Sequence, residues 1–131
     1  MSMVVENRYT LAFGDISVRG RNNSSNAGNG PTISIYVGDR EALTMDFLPD
    51  SRQGRHYHEK RYSEKDPIAT IKLRDVPNDG TLLEHVVEHL AERLQSAGEL
   101  LAAEKLTPAN SHEIARFIAA TYYELNRENR N

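Results

Sequence analysis

The period of the hydrophobic pattern changes once along this 131-residue chain, and that change constrains the fold most strongly. Up to about residue 73, apolar residues alternate with polar ones, which is typical of strands with one buried face. From Thr81 onward they recur every three or four residues, as on an amphipathic helix. The order predicts a single α+β domain over residues 1–131, with an antiparallel sheet of about five strands followed by two C-terminal helices packed on it.

Two hairpins and one further strand form the predicted sheet. Gly-Asp pairs at 14–15 and 38–39 mark the turns of the two hairpins. The Asn- and Gly-rich segment 20–31 is predicted to be a mobile loop, and 50–66 a long polar connection. The alternating apolar residues are Tyr9, Leu11, Phe13, Ile16, Val18, Ile33, Ile35, Val37, Leu43, Met45 and Phe47, followed by a strand over 68–73.

Helix-start signals place the two predicted helices. Thr81 and Glu84 form a T-x-x-E capping box, and the first helix is expected to run to about Ala103. Pro108 suits the first position of the second helix. The apolar face of the second helix is predicted to contain Ile114, Phe117, Ile118, Thr121 and Leu125.

Composition excludes several classes of protein. The chain has no cysteine, so disulfides, thiolate catalysis and cysteine zinc sites are excluded. A formal net charge of −3 gives no bulk attraction to nucleic acid. No apolar run is long enough for a membrane span, and residues 1–6 do not resemble a signal peptide. We therefore expect a cytoplasmic protein without a membrane partner.

His85, Glu88 and His89 spell H-x-x-E-H, the order of an inverted zinc-peptidase motif. Catalytic zinc needs a third protein ligand. The candidates are His112, His56, His58 and the later glutamates, but none lies at a spacing that identifies it. Both histidines fall outside the apolar arc of the predicted helix, so we expect an exposed face without metal. The chain also lacks a P-loop, a G-x-S-x-G elbow and a G-x-G-x-x-G loop. The sequence therefore predicts a protein that binds rather than reacts, with no catalytic residue, cofactor or metal.

The second helix carries a candidate binding stripe opposite its apolar face. The stripe contains His112, Arg116, Tyr123 and Arg127, with the small side chains of residues 119–120 beside it. Arginine binds phosphate oxygens in pairs, and tyrosine stacks on bases. This pattern suits a nucleotide-like anion, although the same stripe also suits a subunit interface or a solvated surface.

A basic segment supplies further candidates. Residues 52–74 contain seven basic and three acidic residues. Arg55, His56 and Arg61 lie in this segment and are predicted to close over the ligand of the stripe. A solvated polar loop is the alternative interpretation.

The order of two hairpins, a further strand and two helices, in a chain of this size, resembles the Thoeris anti-defence sponge family encoded by phages. The resemblance is one of layout, and no motif or site residue is carried over with it. It implies a homo-oligomer in the cytoplasm of the host that sequesters a nucleotide-derived immune signal without cleaving it. The implied ligands are a cyclic ADP-ribose isomer or a cyclic oligonucleotide.

Two other functions remain open. One is a protein-binding inhibitor or immunity module, which would present an interaction patch and no small-molecule pocket. The other is a metal-dependent hydrolase that uses His85, Glu88 and His89. Apolar strand positions in excess of one buried face independently favour a homo-oligomer.

Overall fold

A computed structural model of the chain describes residues 4–11, 14–62 and 67–129. Within these ranges the fold is α+β, with six antiparallel strands and four helices. The strands are β1 (Val4–Leu11), β2 (Gly14–Ser25), β3 (Gly28–Val37), β4 (Arg40–Asp46), β5 (Arg55–Tyr62) and β6 (Pro67–Val76). The helices are α1 (Asp79–Val87), α2 (Leu90–Ser96), α3 (Leu100–Lys105) and α4 (Pro108–Asn129).

Each strand pairs with the strand next to it in sequence, giving the order β1-β2-β3-β4-β5-β6. Both predicted hairpins form, and residues 38–39 are the turn of the second as predicted. Gly14 and Asp15 are not a turn, because they pair with Leu11 and Thr10 between β1 and β2. The prediction of five strands is wrong because β5 lies inside the supposed polar connection 50–66. That segment forms a strand because Tyr57 and Glu59 alternate onto the helix-facing side, where both are buried. Predicted strand residue Phe13 lies outside the described residues.

Residues 20–31, predicted as a loop, instead form the ends of β2 and β3 and the turn between them. The backbone pairs Asn22 with Pro31 and Ser24 with Asn29. The Asn22 side-chain amide also donates to the Leu125 carbonyl oxygen at 3.0 Å and to Glu128 Oε1 at 2.8 Å. Tertiary hydrogen bonds of this kind stabilise the strands here, although the Asn- and Gly-rich composition of the segment by itself favours a loop.

The helices cover one face of the sheet, and the core lies between the two layers. Gly20 is the point of closest approach, since a Cβ there would stand 2.6 Å from Thr121 Cγ2 and 2.7 Å from Leu125 Cδ1. Ile114, Ile118, Thr121 and Leu125 of α4 are all buried, so the predicted apolar face is confirmed for these four. The sheet contributes Ile16, Val18, Ile33, Ile35, Val37, Leu43, Met45 and Tyr57.

The single helix predicted from Thr81 to about Ala103 is three short helices, which accounts for four helices instead of two. Asn78 caps the first, with Oδ1 accepting from Thr81 N at 2.8 Å, so the predicted capping box does not form. The chain leaves helical geometry at His89, with φ −132° and ψ 35°, and again at Gly98, with φ +84°. Among the described residues, no helix has the length and apolarity to cross a membrane.

The second face of the sheet is polar rather than apolar. Strand alternation places Ser34 and Thr44 there, hydrogen-bonded to each other at 3.2 Å. Eight apolar strand residues motivated the predicted homo-oligomer. Five of them, Ile16, Val18, Ile33, Ile35 and Val37, belong to the core under the helices, Tyr9 and Leu11 pack against that core, and Phe13 lies outside the described residues. Oligomerisation stays a prediction, but these residues no longer favour it.

Two glycines allow a matched test of the packing in the β2–β3 region. Gly30 and Gly14 have similar positive φ angles, +136° and +132°. A Cβ at Gly30 would lie 2.2 Å from the Phe47 carbonyl oxygen, whereas a Cβ at Gly14 would have no neighbour within 4 Å. We expect Gly30→Ala to lower the free energy of unfolding by about 1–3 kcal/mol more than Gly14→Ala in urea denaturation. Equal losses of unfolding free energy in the two variants would show that backbone strain alone, and not the contact with Phe47, causes the destabilisation.

Candidate metal centre

Three potential metal ligands meet on the polar face of the sheet. Backbone pairing places Thr32 beside Asp46, and Asp46 beside His56, in one row across β3, β4 and β5. His58 lies two residues further along β5, so its side chain projects from the same face as His56. Asp46, His56 and His58 are called the Asp46–His56–His58 centre below.

The ligand atoms converge on one carboxylate oxygen. Asp46 Oδ2 lies 3.0 Å from His56 Nε2 and 2.9 Å from His58 Nε2. The two imidazole rings stack with centroids 5.8 Å apart and planes 21° from parallel. The side chains are 12%, 11% and 19% exposed for Asp46, His56 and His58, so the centre is largely buried yet open to solvent on one side.

A second layer of hydrogen bonds fixes the orientation of the ligands. Thr32 Oγ1 donates to Asp46 Oδ1 at 2.6 Å, and Asn23 Nδ2 donates to Thr32 Oγ1, also at 2.6 Å. His56 Nδ1 lies 2.8 Å from the Gly54 carbonyl oxygen. Because a carbonyl oxygen only accepts, His56 Nδ1 carries the proton and Nε2 is the nitrogen available to a metal. Partners of this kind are typical of metal-ligating histidines and carboxylates.

The charges of the centre stabilise one another without a metal. Burial alone would raise the pKa of Asp46, but hydrogen bonds from His56, His58 and Thr32 outweigh it, and the pKa lies well below its usual range. The pKa of His56 is raised, first by its hydrogen bond to Asp46 and against the effect of burial. A carboxylate therefore persists at neutral pH, facing two imidazole nitrogens.

The spacing of the three ligand atoms is compatible with one metal ion. The atoms all lie within 4.8 Å of one another. Tetrahedral zinc at bond lengths of about 2.0–2.1 Å separates its ligand atoms by about 3.3 Å. Asp46 Oδ2 already lies 2.9–3.0 Å from both nitrogens, so shifts of less than about 1 Å would admit an ion.

His56 and His58 were considered only as possible third ligands for the H-x-x-E-H histidines, and His56 also as part of the basic segment. Their grouping with each other and with Asp46 was not predicted. One local signal was present, since His56-x-His58 on a strand directs both rings to the same face. Asp46 lies ten residues before His56, and only the β4–β5 pairing brings the two together.

The predicted binding stripe of α4 is exposed on the outer side of the helix layer. Tyr123 is 72% exposed, and the side chains of Arg116 and Arg127 are 69% and 72% exposed. Each arginine contacts a glutamate three residues earlier, at 3.4 Å for Arg116–Glu113 and 2.9 Å for Arg127–Glu124. His112 is also exposed.

The three predicted residues of β5 lie in three different environments. His56 is in the centre, on the sheet face opposite α4. Arg55 donates from Nε to Asp79 Oδ1 at 2.6 Å, and Tyr122 of α4 hydrogen-bonds to the same carboxylate. Arg61 lines a groove of about 750 Å³ with Tyr62 and the α2–α3 connection. The fold therefore does not gather these residues and the α4 stripe into one pocket.

The H-x-x-E-H segment does not place its two histidines on one helix face. Glu88 follows the last residue of α1, and His89 precedes the first residue of α2, so the two histidines do not share a continuous helix face. The prediction that His85 is exposed is wrong. Its ring meets Tyr57 edge-on at 5.1 Å, and Nε2 is buried without a hydrogen-bonding partner among the described residues.

No family model matches this chain, and comparisons with curated proteins and with solved structures found no similar protein.

His85 offers a pH-dependent test of its buried position. Burial, then the charges of Arg93 and His89, lower the pKa of His85. A histidine with a lowered pKa in the folded state destabilises that state as pH falls through its unfolded value of about 6.5. We expect His85→Leu to raise the free energy of unfolding by about 1 kcal/mol at pH 7.5, and by more at pH 5.5.

Urea denaturation at the two pH values measures this effect. His112→Leu is the matched control, because His112 is an exposed histidine that is not among the causes of the lowered pKa of His85, and its replacement should change stability by less than about 0.5 kcal/mol. A loss of stability in His85→Leu would show that the His85 ring makes contacts that leucine cannot replace.

Proposed function

We propose that this protein binds one divalent transition-metal ion through Asp46, His56 and His58. The observation that supports the proposal is the convergence of His56 Nε2 and His58 Nε2 on Asp46 Oδ2 at 3.0 and 2.9 Å. The orienting bonds from Thr32 and to Gly54 support it further, because they hold the ligand atoms in place before an ion arrives.

The donor set indicates which ions fit. Two imidazole nitrogens and one carboxylate oxygen suit zinc, iron(II) and related ions better than magnesium or calcium, which prefer oxygen ligands. Three protein ligands leave at least one coordination position, and the exposed side of the centre gives it access to solvent. The proposed activity is binding, and we assign no reaction to the centre.

Metal binding must displace protons, which gives the proposal a measurable signature. In the metal-free protein both Nε2 atoms face a carboxylate oxygen and donate to it. A metal ion that binds the two Nε2 atoms displaces these protons. The affinity for the metal should therefore fall as pH decreases through the raised pKa of His56.

Titration calorimetry with zinc at pH 7.5 tests the proposal. We expect about one equivalent to bind, with proton release visible as a dependence of the heat on the buffer. Asp46→Asn, His56→Gln and His58→Gln should each weaken binding at least about tenfold, because each removes a ligand. Thr32→Val, which removes only the orienting hydroxyl, should weaken it by a smaller factor.

His89→Gln is the matched control, since His89 is an exposed histidine outside the centre. It should bind zinc as the parent does. Binding that is lost in His89→Gln but retained in His58→Gln would assign the metal to the H-x-x-E-H segment. A parent protein that binds no zinc, cobalt or iron(II) would refute the proposal.

As a second candidate function we propose capture of a nucleotide-derived signal on α4, without cleavage. The supporting observation is that Arg116, Tyr123 and Arg127 stand exposed together on one helix face. A phosphate that bound the arginines would have to replace Glu113 and Glu124 as their partners. Because exposed ion pairs contribute little, this replacement would cost little free energy.

Calorimetry against cyclic ADP-ribose isomers and cyclic oligonucleotides tests the second candidate. Arg116→Ala and Arg127→Ala should each weaken binding by roughly 10- to 150-fold, and the folded structure should be retained. Arg52→Ala, on the polar connection before β5, is the control and should leave affinity unchanged. If no compound of the panel binds, the protein-inhibitor function becomes the stronger alternative, and conversion of a compound would contradict non-catalytic capture.

A further inference from the structure

Two unpaired arginines flank the Asp46–His56–His58 centre on the polar face. Arg74 lies on β6, beyond His56, and Arg21 lies on β2, beyond Thr32. Both side chains are exposed, and neither has an ion pair or hydrogen-bonding partner within the described ranges. By contrast, Arg19 and Lys60 on the same face contact Glu6 and Glu41 at 2.8 Å each.

An irregularity in the β5–β6 pairing places Arg74 opposite His56. Arg55 pairs with Val76 and Tyr57 pairs with Leu73, so His56 faces the two residues Arg74 and Asp75. Asp75 adopts φ +52°, which is unusual for a residue other than glycine and marks a bulge. The bulge therefore sets Arg74 beside His56 across the β5–β6 pair.

Arg21 stands over a hollow that adjoins the centre on its other side. The hollow has a volume of about 180 Å³ and is lined by Arg21, Thr32, Ser34 and Tyr36, among others. Thr32 is shared, because its hydroxyl also donates to Asp46 Oδ1. Adjacent strands are about 4.8 Å apart, so a group of a few atoms spans from the centre to this hollow.

Resting on the proposed metal function, we propose that the bound ion takes a phosphate group as its outer ligand, with Arg74 and Arg21 holding the remaining phosphate oxygens. A divalent ion carries two positive charges, Asp46 cancels one, the two guanidinium groups add two, and Asp75 beside Arg74 cancels one more, so the local total is two. A phosphate monoester, with a charge near −2 at pH 7, matches this surplus better than a carboxylate does. It also offers enough oxygens for one metal bond and arginine hydrogen bonds, whereas a carboxylate has two.

The hollow beside Thr32 gives the rest of a small phosphorylated molecule a place on the protein. Its lining combines Arg19 and Arg21 with Thr32, Ser34 and Tyr36, whose hydroxyls hydrogen-bond within the protein. The hollow therefore suits a small polar body held mainly by its phosphate group. Residues 52–74 are predominantly basic, and Arg74 is the cation of that segment that lies opposite His56. Phosphate binding would give this positive charge a specific role.

Cobalt(II) in place of zinc makes the test spectroscopic, because its visible absorption responds to a change of ligand. The cobalt-loaded protein is titrated with inorganic phosphate and, separately, with acetate, at concentrations where cobalt phosphate stays dissolved. We expect phosphate to change the spectrum with saturation, and acetate to do so at least about tenfold more weakly.

Arg74→Gln and Arg21→Gln should each weaken phosphate binding about tenfold or more, the loss expected for one charge-assisted hydrogen bond. Their cobalt affinity should be no weaker than that of the parent, because neither side chain is a ligand. Arg116→Gln, on the outer face of α4, is the matched control and should match the parent in both titrations.

The two proposals fail in different ways. If the parent protein shows no cobalt absorption spectrum, both the metal centre and the phosphate site are refuted. A cobalt spectrum that phosphate leaves unchanged overturns only the phosphate site. Equal binding of phosphate and acetate, or equal phosphate affinity in Arg74→Gln and Arg116→Gln, also overturns it.

Discussion

The close packing of α4 against β2 at Gly20 is the contact on which the rest of the structure depends. Because Gly20 has no side chain, Thr121 and Leu125 reach the sheet backbone, and Asn22 hydrogen-bonds to the end of the same helix. This contact decides which face of β2 is buried. The register of strand pairing then fixes the buried face of each neighbouring strand, because a slip of one residue would exchange the two faces. The polar face, and with it the Asp46–His56–His58 centre, is the face that α4 leaves uncovered.

Sequence patterns predicted the parts of the fold whose causes are local. The two hairpins and the buried stripe of α4 follow from periodicity, and the turn residues 38–39 mark the second hairpin. These patterns need no distant partner. The β2–β3 ends and β5 were missed because their polar side chains are satisfied by residues far away in sequence, such as Leu125 for Asn22 and Ser96 for Glu59. The break at His89 was missed because apolar spacing continues through it while the backbone does not.

The centre shows the same limit in functional terms. His56 and His58 could be grouped from their spacing on a strand, but Asp46 joins them only through the register of β4 and β5. The H-x-x-E-H segment shows the converse, since its spacing suggests a shared helix face that the fold does not provide. In a sheet protein, ligands are assembled across strands, and their sequence separations depend on hairpin lengths rather than on any fixed motif.

The order of elements along the chain has a consequence for how this protein emerges from the ribosome. β2 and β3 are synthesised early, but α4, which covers their apolar side, is the last described element to be made. Asn7 and Thr121, which hydrogen-bond in the finished fold, are 114 residues apart. Until α4 emerges, a nascent sheet would present Ile16, Val18, Ile33 and Ile35 uncovered, a form that is prone to aggregation. The polar residues of the opposite face and the short, consecutive hairpins limit that exposure to one side of the growing chain.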